Sequence, residues 1–185
     1  MALPNTHFGA EYISSLIDCP KHIFFDGIGG VSMCSLAEIC KKAGHSVSGY
    51  DKSPSPITRS LEEMGITVYF EAKGENAADA DLLIYTLAMP NDSPAYVYAK
   101  EHNIPCISRA DFLGYIMSGY THRLGIAGTH GKSTTTGMVA CILEAAGVDP
   151  TVFNGAMMKD RTWLLCATCI AGALAYLSSA TTSTP

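Results

Sequence analysis

Several things are scarce in this 185-residue chain, and each scarcity removes a class of function. Basic residues are outnumbered: 12 Lys and Arg face 17 Asp and Glu, a formal charge of -5. A general binder of nucleic acid or of a membrane surface would show the opposite excess. No basic and apolar leader opens the chain, since MALPNTHFGAEYISSL lacks both regions of a secretory signal. The longest apolar run, Trp163 to Leu177, is shorter than the roughly 20 residues of a membrane span. Seven cysteines (Cys19, Cys34, Cys40, Cys106, Cys141, Cys166 and Cys169) are scattered and odd in number, several in apolar periodic segments where a thiol acts as a small hydrophobe. A cytoplasmic, reducing compartment is the expectation. His7, His22, His45, His102 and His122 show no metal-ligand spacing with cysteine or acid partners.

What is present is ample core material, 48% hydrophobic residues, in an alternating pattern. HIFF (22–25), SVSGY (46–50), ITVYF (66–70), DLLIYT (81–86) and IPCIS (104–108) read as strands. Between and after them, VSMCSLAEICKKAG, SPITRSLEEMG, PAYVYAKEHN and ADFLGYIMSG carry helical spacing with proline starts or glycine stops. Strands and helices alternating at this interval predict βαβ units and a mainly parallel sheet. A second unit begins after SGYTH: RLGIA (123–127) as strand, a glycine loop, STTTGMVACILEAAG (133–147) as helix and PTVFNGAM (150–157) as the next strand. The predicted fold class is α/β: a Rossmann-like parallel-sheet domain over 1–120, the start of a P-loop ATP-binding α/β domain over 121–160, and an atypical apolar tail over 161–185.

Two glycine clusters sit between a strand and a helix. DGIGGVS (26–32) places Gly27 and Gly29 as in G-x-G-x-x-G, with Ser32 at the third glycine position. Asp51 ends the second strand, where dinucleotide-binding folds place a ribose-binding acid. A tight turn with a capping aspartate explains the same residues. The second cluster, GTHGKST (128–134), is more specific. Lys132 suits terminal phosphates, Ser133 offers a hydroxyl to Mg²⁺, and backbone amides from Gly128 to Ser133 suit phosphate oxygens. The strict phosphate-loop pattern wants glycine at 126 and finds Ile126.

AGTHGKSTTTGM resembles the ATP loop of the Mur ligases, whose pattern is GT-x-GK-[ST]-T. GIGGVSM followed by VSGYDKS resembles the start of the branch acting on UDP-N-acetylmuramate, as does His130 in the loop. The resemblance runs from about Lys21 to Asp160. It implies that Gly27, Gly29, Gly30 and Asp51 contact the UDP part, and that Gly128, Thr129, His130, Gly131, Lys132, Ser133 and Thr134 hold ATP. Ser133 and Thr134 would hold Mg²⁺, and Lys132 would be catalytic. It further implies phosphorylation of the substrate carboxylate to an acyl phosphate, attacked by the amino group of L-alanine. Thr86 is added because it ends a strand on the carboxyl side of the sheet, where ligands bind in open α/β folds.

The chain departs from the family pattern in three places. Asp26 stands where an apolar strand residue is expected, and Ser32 where the family loop has glycine. An acidic stretch completing the Mg²⁺ site should follow 155–160, yet RTWLLCATCIAGALAYLSSATTSTP has no carboxylate and one charge, Arg161. The expectation is an N-terminal piece, with a foreign or frame-shifted tail, that does not ligate alone. Three alternatives remain open: a relative recycling murein tripeptide, a dinucleotide-binding (NAD) module, and a non-catalytic remnant. Cys166 and Cys169 have redox spacing without the β/α context it needs. Glu62 and Glu63 read as a solvated helix face, and Asp79 and Asp81 as turn residues.

Overall fold

The computed structural model describes residues 7–87, 89–90, 92–148 and 150–153. The expectations for the tail, for Cys166 and Cys169, and for most of the 150–157 strand lie outside the described residues. The chain divides into two compact units, Met1–Tyr115 and Ile116–Pro185.

The first unit is built on five parallel strands: β1 (His22–Asp26), β2 (Ser46–Tyr50), β3 (Thr67–Tyr69), β4 (Leu82–Tyr85) and β5 (Cys106–Ser108). Their spatial order is β3-β2-β1-β4-β5. β1 and β4 lie side by side at the centre, Phe24 opposite Leu83 and Asp26 opposite Tyr85. Central strands covered on both faces need apolar side chains on both faces, and the unbroken runs IFF and LLIY supply them. All four residues of β4 are buried.

The helices are α1 (Ala10–Leu16), α2 (Val31–Lys42), α3 (Pro56–Glu63), α4 (Pro94–Glu101) and α5 (Arg109–Ser118), with a short 3₁₀ turn at Gly74–Ala77. On one side of the sheet, Phe24, Leu83, Tyr85 and Cys106 form a cluster with Ala77 and Ala80, and with Ala95, Tyr96 and Ala99 of α4. Phe25, the next residue along β1, meets Phe112 of α5 edge-on, ring centroids 6.4 Å apart. α3 starts where Ser55 and Thr58 cap each other: the Thr58 N–H donates to Ser55 Oγ and the Ser55 N–H to Thr58 Oγ1. Pro56, fixed in φ and lacking an N–H, occupies the first helical position. Neither α1 nor the 3₁₀ turn is expected from periodicity, both being too short to show it.

In the second unit α6 (Lys132–Ala145) forms where a helix is expected. RLGIA does not form a strand: residues 123–127 have no regular structure, and four of the five are exposed. A strand is completed by a neighbour's backbone, and no strand among the described residues pairs with this stretch. α6 leaves Met138 and Ile142 61% and 66% exposed. Among the described residues no helix is long and apolar enough to cross a membrane.

Candidate functional site

In a parallel sheet of this order, the connections from β1 and β4 leave in opposite directions and open a crevice at the carboxyl ends of those strands. The DGIGGVS loop lies there. It is pinned from below, because the N–H groups of Gly27 and Ile28 both donate to the carbonyl of Tyr50 at the end of β2, at 2.8 and 2.9 Å. Gly27 takes φ +89°, and Ile28 turns inward and is fully buried. The inward turn needs Gly49 opposite: a Cβ there would stand 2.5 Å from the Phe25 carbonyl and 2.7 Å from Ile28 Cβ. β2 therefore carries a glycine next to its carboxyl end so that the loop can close over it.

Asp51 meets the loop directly. Its Oδ2 accepts the Gly29 N–H at 2.8 Å, and Oδ1 accepts the Ser53 N–H at 3.4 Å. A Cβ on Gly29 would lie 2.7 Å from that carboxylate oxygen, so glycine is required for the approach. Asp51 thus serves as the loop's cap, and a carboxylate's remaining lone pairs can still accept ribose hydroxyls. Gly30 is exposed and immediately precedes α2. Thr86 stands across the crevice from Gly27, its Cγ2 3.7 Å from where a Cβ on that glycine would be. Gly27, Gly29, Gly30, Asp51 and Thr86 are therefore gathered at one edge of the sheet. Asp79 and Asp81 lie at the opposite edge, where Asp81 Oδ2 accepts the His22 N–H at the start of β1.

Four polar residues of this edge play parts that the sequence reading did not assign. Asp26, at the tip of β1, is 2% exposed. It accepts a hydrogen bond from the Ser93 hydroxyl at 2.5 Å, which ties the β4–α4 connection to β1. Burial pushes its pKa above the ordinary carboxylate value; the Ser93 bond opposes this, and the charge of Asp51 adds to it. Arg109, first in α5 after β5, donates from Nη1 to Ser32 Oγ in the first turn of α2, at 2.7 Å. A basic residue just past the carboxyl end of a strand was the available signal for Arg109. The buried thiols are not chemical candidates, since burial pushes Cys40 up to about 12 and Cys106 to about 11.

The second glycine loop belongs to the other unit. Gly131 caps α6 in a left-handed conformation, φ +75°, and Lys132 begins the helix. Lys132 Nζ donates to the carbonyls of Gly128 and Thr129, at 2.7 and 3.3 Å. The ammonium is thereby held over its own loop, where a phosphate would compete with two neutral carbonyls for it. Gly128, Thr129, His130, Gly131, Ser133 and Thr134 are all exposed. Ser133 and Thr134 are hydroxyl residues of the first turn, the donor type Mg²⁺ accepts beside a phosphate. No group of three His, Cys, Asp or Glu residues able to hold a metal occurs among the described residues.

The profile of the family described as "Mur ligase family, catalytic domain" matches residues 22–121. A UDP-N-acetylmuramate–L-alanine ligase of Clostridium botulinum (strain Loch Maree / Type A3) is 49% identical over 138 residues, covering 75% of this chain and 30% of the relative. One from Clostridium novyi (strain NT) is 45% identical over 140 residues, covering 76% and 31%. The chain therefore spans under a third of the length of these relatives. Among solved structures, a UDP-N-acetylmuramate–alanine ligase from Thermotoga maritima superposes with a TM-score of 0.72 at 29% identity, covering 83% of this chain and 36% of that one. A UDP-N-acetylmuramate:L-alanyl-γ-D-glutamyl-meso-diaminopimelate ligase from Neisseria gives 0.71 at 32% identity, covering 84% and 46%.

Proposed function

Because this chain belongs to the Mur ligase family, we propose that it is the nucleotide-gripping portion of a ligase joining L-alanine to UDP-N-acetylmuramate at the expense of ATP. One observation carries the reading. A glycine loop at the switch point of a parallel sheet, with Asp51 bonded to its Gly29 amide, is followed by GTHGKST at the N-terminus of α6. A relative bearing that name is 49% identical over 138 residues, 75% of this chain.

The two loops divide the work. Residues 1–120 form the uridine-nucleotide domain: Gly27, Gly29 and Gly30 let the diphosphate approach the backbone, and Asp51 and Thr86 flank the nucleoside. Residues 121–160 begin the ATP domain. There the amides from Gly128 to Ser133 and the ammonium of Lys132 bind phosphate oxygens, and His130 lines the loop. Lys132 leaves its two carbonyls to neutralise charge on the transferring phosphoryl group, a task of positioning and electrostatics. The exposed hydroxyls of Ser133 and Thr134 would hold Mg²⁺, which would neutralise negative charge on the phosphates. The substrate carboxylate, once phosphorylated by ATP with release of ADP, is the electrophile that the amino group of L-alanine attacks, forming the amide bond as the acyl–phosphate bond breaks and phosphate and a proton leave. A cytoplasmic, reducing location agrees with cysteines that form no disulfide among the described residues.

The likeness to the Neisseria enzyme favours a second reading, a ligase that joins a peptide to the same nucleotide. The two differ in the amine and share the uridine nucleotide. Calorimetric titration of the chain with UDP-N-acetylmuramate tests both: saturable binding is expected, with none for NADH. Binding of NADH and not of the uridine nucleotide would replace them with a dinucleotide-binding module.

A further inference from the structure

Asp26 stands where an apolar strand residue is expected, directly before Gly27 at the tip of the central strand β1. A carboxylate is costly to bury, and this one is 2% exposed. Ser93, in the connection between β4 and α4, donates to its Oδ2 at 2.5 Å. The pair therefore ties the tip of β1 to the connection leaving β4, at the edge of the sheet where Gly27, Gly29, Asp51 and Thr86 are gathered.

The groups facing Asp26 follow from the strand order. β2 presents Tyr50, its register partner, and then Asp51; β4 presents Tyr85, its partner on the other side. α4, packed on the face that carries Tyr85, presents Tyr96 with Lys100 Nζ 5.4 Å from its ring centroid, and the connection before α4 adds the exposed Asp92. The charge that acts on Asp26 is the negative one of Asp51, whose carboxylate accepts the Gly29 N–H. Burial above all, and that charge with it, favour the protonated carboxyl of Asp26, while the Ser93 bond favours the ionised one. An anion held in the same crevice adds a further negative charge, and a like charge in a poorly screened site strengthens a carboxylate's hold on its proton.

We infer that binding of an anionic nucleotide in this crevice is coupled to uptake of one proton by Asp26, with Ser93 as the residue that sets the pH at which this occurs. The inference rests on the proposed uridine-nucleotide site and adds its regulation. The proton comes from solvent and neutralises the Asp26 carboxylate, so the diphosphate meets the negative charge of Asp51 without that of Asp26. A neutral carboxyl still accepts from Ser93 through its carbonyl oxygen, so the tie across the crevice survives. Linkage is reciprocal: if the nucleotide strengthens the hold of Asp26 on its proton, the proton strengthens the hold of the chain on the nucleotide by the same factor.

The test is calorimetric titration of the full chain with UDP-N-acetylmuramate from about pH 5 to about pH 8, in two buffers of unlike ionisation enthalpy, which counts the protons taken up on binding. The diphosphate is esterified at both ends and the ligand's carboxylate is ionised by about pH 5, so the uptake belongs to the protein. Wild-type chain should take up a proton in part of this range, its affinity falling by about 3-fold or more toward the upper end. Asp26→Asn should lose that uptake, show a flatter profile, and bind more tightly than wild type at the upper end. Uridine, which is uncharged, should bind the two proteins with the same pH profile in ligand-observed NMR. Ser93→Ala removes the bond that favours the ionised carboxyl, so its fall in affinity should move to higher pH. Proton uptake equal in wild type and Asp26→Asn overturns the inference while the uridine-nucleotide reading stands. An Asp26-dependent profile for uridine as steep as that for UDP-N-acetylmuramate also overturns it, marking Asp26 as structural. If Asp26→Asn does not fold, Ser93→Ala decides, and an unmoved profile there overturns the inference. Wild-type chain that does not bind UDP-N-acetylmuramate at any of these pH values overturns the reading and the inference together.

Discussion

Asp26 illustrates how one residue can couple the candidate site to stability. It ends the central strand, is buried, and shares a hydrogen bond with Ser93 from the opposite side of the crevice. Burial raises its pKa above the ordinary 3.8, so the folded chain holds this proton more tightly than the unfolded chain does. The sign follows: between the unfolded and folded values the native state binds more protons, and stability falls as pH rises through that window. Above the folded value the full penalty of a buried carboxylate remains. Asp26→Asn removes the charge and keeps an oxygen that accepts from Ser93. It should be more stable than wild type near neutral pH, with the advantage shrinking as pH falls toward 3.8. Urea unfolding of both proteins across that range reads the difference; a wild type more stable at pH 7 would show that the Ser93 bond outweighs desolvation.

At the level of elements, the closest fit in the fold is between β2 and the loop after β1. Gly49→Ala would thrust a methyl group to 2.5 Å from the Phe25 carbonyl and 2.8 Å from Ile28 Cδ1. That carbonyl belongs to the central strand and cannot retreat freely, so overpacking should cost about 1–3 kcal/mol. Ile28 would be displaced along with its loop, and UDP affinity should fall as well. Gly114→Ala is the contrast. That glycine lies within α5, exposed, with nothing near the added methyl, and the substitution should stabilise by about 0.5–1 kcal/mol. Chemical denaturation of the two variants should move in opposite directions.

The same elements show what a sequence can disclose. Runs such as HIFF and DLLIYT mark β1 and β4 because two-sided burial demands continuous apolar residues. The glycine loops are visible because few other residues permit such turns. RLGIA misled for a physical reason: its apolar character suits a strand, but pairing depends on a neighbour that local composition does not supply. The ties that shape the candidate site were equally hidden. Asp51 to Gly29, Ser93 to Asp26 and Arg109 to Ser32 cross 22, 67 and 77 residues. Each becomes apparent only once the strand order brings the carboxyl ends of β1, β2, β4 and β5 to one edge. Polar residues carry no periodicity that would announce such partners.

For the whole molecule, binding and catalysis make different demands. Binding the proposed nucleotide asks for one finished surface, and the first unit holds the parts proposed for it: five paired strands, the pinned glycine loop, Asp51 and Thr86. Transfer of a phosphoryl group asks for more, because Mg²⁺ requires near-octahedral oxygen ligands and usually one or two carboxylates beside the phosphates. Around GTHGKST the described residues offer the hydroxyls of Ser133 and Thr134 and the ammonium of Lys132, with no acidic cluster for the metal. Residues 123–127 pair with no strand among those residues, which therefore give the loop none of the rigid support that holds catalytic geometry to within about 0.5 Å. The expected outcome is a chain that binds UDP-N-acetylmuramate but whose phosphate release from ATP does not rise when L-alanine is added. Measured with both substrates and Mg²⁺ present, an L-alanine-dependent rate would overturn this division and show that the hydroxyls and Lys132 suffice.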